Sequence, residues 1–499
     1  MWRQLLPTLV RDGTPLQVQL RTALVDAILD GRLNPGLRLP SGRALAVLVG
    51  VARNTAVLVY ERLVADGFVE ARPRDGFFIR ENITRESVRS VRTPELPGTP
   101  DWNARLVADT TRARWLDRPA GWQALRYPFV FGQFDASLFP LAEWRECSRQ
   151  ALDVMAVRNW GQDGDTGAAA QLVDQLIRRV LPRRGIVATA DQVVLTMGTQ
   201  HGLYLLSSLF GRPDAVFGIE NPGYMDARNI FARNGVQLAA LDVDAEGLVP
   251  GDALARCDYV YCTPSHQCPT GVTMSTARRL ALLAHAALHD QVIIEDDYDP
   301  ETQYVGAPLP ALKAIDNCDR VVYVSSLSKL LAPGLRIGYI VAPAPVCERL
   351  RALRRLTIRS VPGNNQMAAA LFIRLGHYDR LLQRTRALLG ERARAVTEAL
   401  RRHFPDAVFD APTGGASVWL ALPGRLDAAT LREACLSQGI LLDPGDPFFF
   451  EPLPSPHVRL GFSSIPLAHI EPGIRLMAGI AASLPPTTGS PRSADPAPA

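Results

Sequence analysis

Six short runs of Val, Ile and Tyr constrain this chain more than any other feature. They are "QVVLTMG" (192–198), "AVFGIENPGY" (215–224), "YVYCTPS" (259–265), "QVIIEDDYD" (291–299), "RVVYVSS" (320–326) and "IGYIVAP" (337–343). Their apolar residues are continuous rather than alternating, as expected when both faces of a strand are buried in a parallel sheet. Helical patterns such as "STARRLALLAHAALH" (275–289) separate several of them. Strand and helix in alternation predict an α/β domain with a mainly parallel sheet. Such sheets bind ligands beyond the carboxyl ends of their strands. Here the polar signatures stand at those ends.

With 499 residues the chain exceeds one ordinary core. Composition divides it into a compact segment 1–80, a linker 81–125 rich in Pro, Thr and charge, the α/β domain 126–485 and a Pro/Ser/Ala-rich, disordered tail 486–499. Trp102, Trp115 and Trp122 suggest that parts of the linker dock. The seven cysteines form no C-x-x-C pair, which points to a reducing, cytoplasmic location. The first residues are too soon interrupted by charge for a secretory signal, and no apolar run reaches the roughly 18 residues of a membrane span. A net charge of +4 says little about partners.

Segment 1–80 has a definite plan. An amphipathic helix from about Pro15 to Asp30 stops at Gly31. Ser41 caps a second helix ending near Gly50. A third starts near Arg53 and ends before Gly67, and two β runs follow around "PRDG". Helix-turn-helix plus hairpin is the winged DNA-binding layout. Arg53, Asn54 and Thr55 would open the recognition helix, with Arg43, Arg72 and Arg74 on the phosphate backbone. "GRLNPGLRLPSGRALA" and "VARNTAVLVYERLVADGFV" resemble the winged-helix domain of GntR-type bacterial regulators, which implies double-stranded operator DNA as a partner.

Of 54 Lys+Arg residues only Lys313 and Lys329 are lysines. Arginine cannot form an imine, whereas lysine can once its pKa is lowered. Ser326, Ser328 and Arg336 around Lys329 suit a phosphate ester. Asp296 and Tyr298 follow a buried strand, where a carboxylate can pair with a pyridine nitrogen and a phenol with a ring hydroxyl. The turn at Gly198, Thr199 and Gln200 offers backbone amides, and Tyr224 offers a ring to stack.

With "TPSHQCPTG" (263–271), these motifs make the large domain resemble a fold-type I aminotransferase, and the whole chain a MocR-type regulator. The resemblance implies pyridoxal 5'-phosphate (PLP) as cofactor, joined to Lys329 as a Schiff base. Asp296 would pair with the ring nitrogen, Tyr298 with the ring oxygen, and Tyr224 would stack. Gly198, Thr199, Gln200, Ser326, Ser328 and Arg336 would hold the phosphate, Ser326 and Arg336 foremost. Arg459 matches the arginine that takes a substrate or effector carboxylate. Cys268 stands where relatives carry an aromatic residue or Asn, so ring-hydroxyl contact falls to His266 or Gln267 or is lost. Asp226 stands near the place of an effector arginine, for which Arg228 is the substitute. A head-to-tail homodimer is implied, with an amino acid or amine as effector and vitamin B6 synthesis or amine metabolism as the controlled process.

The alternative is an aminotransferase with true turnover and an accessory DNA-binding domain; the same lysine, aspartate and tyrosine serve both. The acidic run "EDDYD" and the pair His285/His289 are the remaining candidates for a metal, and neither has a supporting motif. No metal is expected.

Overall fold

The computed structural model describes residues 2, 14–81, 100–106, 113–133, 135–162, 164, 167–299, 301–424, 426–451 and 454–485. The expected tail and most of the expected linker lie outside the described residues. The chain forms two compact units, Met1–Val107 and Ala108–Ala499.

The first unit contains α1 (Leu16–Leu29), α2 (Gly42–Val49), α3 (Arg53–Ala65) and the hairpin β1 (Val69–Arg72) and β2 (Gly76–Ile79). Ser41 caps α2 by accepting from the Ala44 amide at 3.2 Å. Gly50 ends it at φ +70°, a conformation that costs a residue with a Cβ. The chain bends by 117° between α2 and α3, within the range of helix-turn-helix motifs. Leu20, Leu24, Leu45, Val59, Tyr60, Leu63 and Ile79 form a separate core. The hairpin is antiparallel, Val69 opposite Ile79 and Arg72 opposite Gly76.

The second unit is built on two sheets. The larger has eight strands in the order β4-β11-β10-β9-β8-β5-β6-β7. These are β4 (Val193–Thr196), β5 (Val216–Asn221), β6 (Gln237–Asp244), β7 (Gly247–Leu248), β8 (Tyr259–Cys262), β9 (Val292–Asp297), β10 (Val321–Ser326) and β11 (Gly338–Val341). All six runs singled out in the sequence are strands of this sheet. The pairings β6-β5, β5-β8, β8-β9 and β9-β10 are parallel, and β11 runs antiparallel to both its neighbours. Helices α4 (Thr199–Phe210), α5 (Met225–Arg233) and α6 (Thr276–Leu288) connect strands of this sheet. The smaller sheet has the order β12-β14-β13-β3, with β3 (Tyr127–Phe129), β12 (Ser417–Ala421), β13 (Ile440–Pro444) and β14 (His457–Gly461). The long helix α7 (His377–His403) and α8 (Leu467–Ser483) supply residues to its core, among them Val396, Leu400, Ile470 and Ile474. The sequence does not announce this second layer. Its strands are short, β12 alternates buried and half-buried positions, and β3 stands far from the other three in sequence.

Candidate functional site

The site assembles at the carboxyl ends of β4, β5, β8, β9 and β10. Residues 295–297 of β9 alternate in direction, as a strand requires. Glu295 accepts the Leu312 and Lys313 amides at 2.8 and 2.9 Å. Asp297 pairs with Arg184 at 2.8 Å and accepts from Tyr323 at 2.9 Å. Asp296 accepts the Tyr261 hydroxyl at 2.8 Å through Oδ2, while its Oδ1 is buried with no partner. The acidic run is thus divided among separate partners. Burial pushes the Asp296 carboxyl up to about 7, against the pull of the Tyr261 hydrogen bond.

Beyond β10 the chain loops back to β11. Ser326 Oγ donates to the Ile337 carbonyl at 3.0 Å and accepts the Ser328 amide at 3.0 Å, so Ser326 ties the loop. Ser328 Oγ is buried and unpartnered, which makes Ser328 rather than Ser326 the residue with a free hydroxyl. Lys329 follows. Its Nζ lies 4.9 Å from the Phe131 ring centre, and a Cβ on Gly132 would fall 2.6 Å from it. The side chain is ringed by protein yet open to solvent through the cleft. Desolvation by that ring lowers its pKa, opposed by Asp299, and the opening to solvent limits the effect. A cavity of about 60 Å³ beside Lys329 is lined by Phe131, Gly132, Asp299, Thr302 and Leu389 among others, and the turn at Gly198 is not part of its wall.

Gly198 opens α4 at φ +82°. The Arg336 guanidinium lies against it, so that a Cβ at Gly198 would come within 3.0 Å of Nη2. Arg336 also donates to the Met197 carbonyl at 2.7 Å. His201 Nδ1 accepts the Met197 amide at 3.1 Å, and burial pushes its pKa down to about 4, so this histidine pins the turn as a neutral ring. Thr199 and Gln200 occupy the first turn of α4.

Several expectations are corrected. Gln267 does not face the site: its amide nitrogen donates to Glu220 (3.2 Å), the Pro222 carbonyl (2.9 Å) and the Cys268 carbonyl (2.9 Å). Its oxygen accepts from the Thr270 amide and hydroxyl, so its capacity is used holding the 263–270 loop. His266 is buried against Gly414 and Gly415, and its backbone carbonyl accepts the Tyr298 hydroxyl at 2.8 Å. Arg228 donates to the carbonyls of Phe449 and Pro447 at 2.6 and 2.8 Å, so both its terminal nitrogens are engaged as struts. Asp226 accepts the Tyr224 hydroxyl at 3.0 Å and the Gln200 amide at 2.6 Å, which holds the Tyr224 ring in place. His285 stacks on His289 at 4.3 Å and contacts Gln291 at 2.9 Å. Among the described residues no group of three or more His, Cys, Asp or Glu gathers in metal-binding geometry.

Arg459, 6% exposed, lies between the Phe131 and Phe448 rings at 4.5 and 4.7 Å. It stands opposite Asp443 in the β13-β14 register, with Nη2 3.4 Å from Asp443 Oδ2. Its Nη1 contacts Cys268 Sγ at 3.6 Å, and its Nε is buried without a partner.

In the winged-helix unit, Arg43, Arg53 and Asn54 are exposed at the starts of α2 and α3, and Thr55 is half-buried. Arg74 sits in the hairpin turn at φ +65°. Arg72 is already engaged: it donates to Glu70 at 2.6 Å and lies 4.3 Å from the Phe78 ring centre, so a phosphate would have to compete for it.

Sequence reasoning misses Tyr261, Phe131, Asp299 and Asp443. Tyr261 lies inside a strand run and reads as core. Asp443, a carboxylate near a strand end, carries the same signal that marks Asp296.

The arrangement fits PLP on the chain's own geometry. It offers a lysine in a cleft, an unpartnered carboxylate oxygen for a protonated ring nitrogen, and a glycine turn, an arginine and a free hydroxyl for a phosphate.

The comparisons agree. Residues 132–475 match the family model "Aminotransferase class I and II", and residues 16–79 match "Bacterial regulatory proteins, gntR family". The HTH-type transcriptional regulator TauR of Rhodobacter capsulatus is 41% identical over 467 residues, covering 93% of this chain and 96% of that protein. The HTH-type pyridoxine biosynthesis transcriptional regulator PdxR of Corynebacterium glutamicum is 30% identical, covering 78% and 80%. Among solved structures, the kynurenine aminotransferase of Pyrococcus horikoshii in complex with PMP is similar with a TM-score of 0.68 at 27% identity, covering 72% of this chain and 92% of that one. The chain therefore belongs to the GntR/MocR family of helix-turn-helix transcriptional regulators, in which a winged-helix unit is fused to a fold-type I, aminotransferase-like domain of the PLP-binding class.

Proposed function

We propose that the protein is a transcriptional regulator whose DNA binding is set by PLP, alone or after reaction with an amino acid or amine. It controls vitamin B6 synthesis or amino-acid and amine metabolism. The observation that carries this is the coexistence of two sites in one chain: an exposed recognition-helix start, Arg53 and Asn54, and, at the strand ends of the large sheet, Lys329, an unpartnered Asp296 oxygen and the Gly198/Arg336 turn.

When bound, PLP supplies an aldehyde that condenses with amines and a pyridinium that stabilises negative charge. The chain's residues divide the remaining work. Lys329 presents an amine whose pKa desolvation lowers, which favours the neutral, nucleophilic form. Asp296, positioned by Tyr261, holds a proton on the ring nitrogen. The Gly198 turn, Arg336 and Ser328 would grip the phosphate, and Ser326 would hold the loop that carries Ser328. Tyr224, fixed through Asp226, would cover the ring, and Tyr298, whose hydroxyl donates to the His266 carbonyl, would serve its oxygen. Arg459 receives an effector's acid group. His266 and Gln267 support this wall from behind. The protein acts as a homodimer, head to tail, so that each effector site biases a paired DNA reader through one shared equilibrium.

Titration of the full-length protein on DNA from upstream of its own gene, with and without PLP and then with added amino acids, tests the proposal. PLP or the PLP-amine combination is expected to change DNA affinity. An affinity indifferent to both sinks it. The aminotransferase reading is tested by the same samples: sustained keto-acid release over many turnovers would establish an enzyme.

A further inference from the structure

The segment ahead of β3 has the composition of a linker, yet its described end, residues 113–125, is built into the wall of the site. Leu116 packs against the cluster of Met225, Cys268 and Phe448, as does Tyr224. Asn229 donates to the Arg114 carbonyl at 2.9 Å, and Arg432 donates to the Asp117 carbonyl at 2.5 Å. Arg118 follows directly on these anchored residues. Its guanidinium lies 5.4 Å from the Trp122 ring centre and places Nη2 3.4 Å from Asp443 Oδ1. The other oxygen of Asp443 faces Arg459.

We propose that Arg118 is a positioning residue that sets the charge of the acid-binding subsite: by sharing Asp443 with Arg459, it leaves two guanidinium charges against one carboxylate, matched to a monoanionic acid group. With Asp443 and Arg459 alone the pair would be neutral, and an incoming anion would meet a carboxylate that offsets most of the attraction. Arg118 neutralises that carboxylate from behind. On Arg459 itself, Nε lies between two phenyl rings and has no hydrogen-bond partner. Arg118 also keeps a buried, unpartnered Nη1 of its own. The inference rests on the reading that Arg459 takes the effector's acid group.

Three probes test it on full-length, cofactor-loaded protein: 3-aminopropanoate, propylamine, which lacks the acid, and propanoate, which lacks the amine. Binding of the two amines is followed by cofactor absorbance, and binding of propanoate by thermal shift. Arg118→Ala is expected to weaken 3-aminopropanoate and propanoate by about tenfold and leave propylamine unchanged. Arg118→Lys is expected to recover most of that affinity, because it restores the charge. An equal weakening of all three probes would show general damage and overturn the proposal. Arg459→Ala separates the two readings. If it leaves acid binding intact, the role given to Arg459 fails. If it removes acid binding while Arg118→Ala does not, the role of Arg118 alone fails. Should Arg118→Ala not fold, Arg118→Gln keeps length over Trp122 without charge and is expected to show the same acid-selective weakening. Unchanged acid affinity in Arg118→Gln overturns the proposal.

Discussion

Burial raises the carboxyl groups of Asp296 and Glu220 to about 7 in the folded chain, far above their values when unfolded. Such groups contribute stability that is complete below about pH 4 and is lost as pH rises from there through about 7. His201 and His266, pushed down to about 4 by burial, contribute stability that is present above about pH 6.5 and lost on acidification. Between about pH 6.5 and 8 the raised carboxyls therefore tilt the curve. Thermal unfolding of the cofactor-free protein should give a higher Tm at about pH 6.5 than at about pH 8, with a shallower slope in Asp296→Asn. An identical slope in the variant would show that Asp296 does not titrate there. At Lys329 the expected result is covalent: borohydride reduction of the PLP-loaded protein places a cofactor mass on the peptide containing Lys329, and Lys329→Ala abolishes it. Both residues are legible in the sequence because a polar group at the end of a buried strand has few structural excuses. Tyr261 is not, since a tyrosine within an apolar run looks the same whether or not its hydroxyl meets a carboxylate.

Two element ends carry most of the local burden. Ser41 closes the first turn of α2, and Ser41→Ala is expected to destabilise the winged-helix unit by about 1 kcal/mol, read by denaturant unfolding of that unit. The start of α4 is more demanding. Gly198 combines a left-handed φ with the approach of the Arg336 guanidinium. Gly198→Ala should cost about 1 kcal/mol or more in stability and weaken PLP binding as Arg336 is displaced. Unaltered PLP affinity in that variant would remove the turn from the site. Helix α2 and the six strands follow from caps, turns and continuous apolar runs. The four-stranded sheet does not, because β3 lies far ahead in sequence of the strands it joins, and its register with β13 is set by packing against α7 and α8.

At the scale of the molecule, the winged-helix core draws only on residues of the first unit, and the two large sheets belong to the second. Calorimetry is expected to resolve two transitions, with PLP raising only that of the larger unit. Operator binding should weaken with salt, and Arg43→Ala should lower the slope of log affinity against log salt by about one for each phosphate that Arg43 neutralises. A slope equal to the wild type would remove Arg43 from the backbone-contacting set. By itself the sequence determined the two-part plan, the parallel sheet, the lysine and the carboxylate, because these follow from periodicity, caps and the chemistry of single side chains. Only the tertiary structure decided who partners whom. It left Ser328 a free hydroxyl and set Ser326 to tie a loop, turned Gln267 and Arg228 into struts, and brought Arg118 and Asp443, 325 residues apart in the chain, to Arg459. Those assignments depend on which strands and loops become neighbours and on how each polar group's hydrogen-bonding capacity is used once they do.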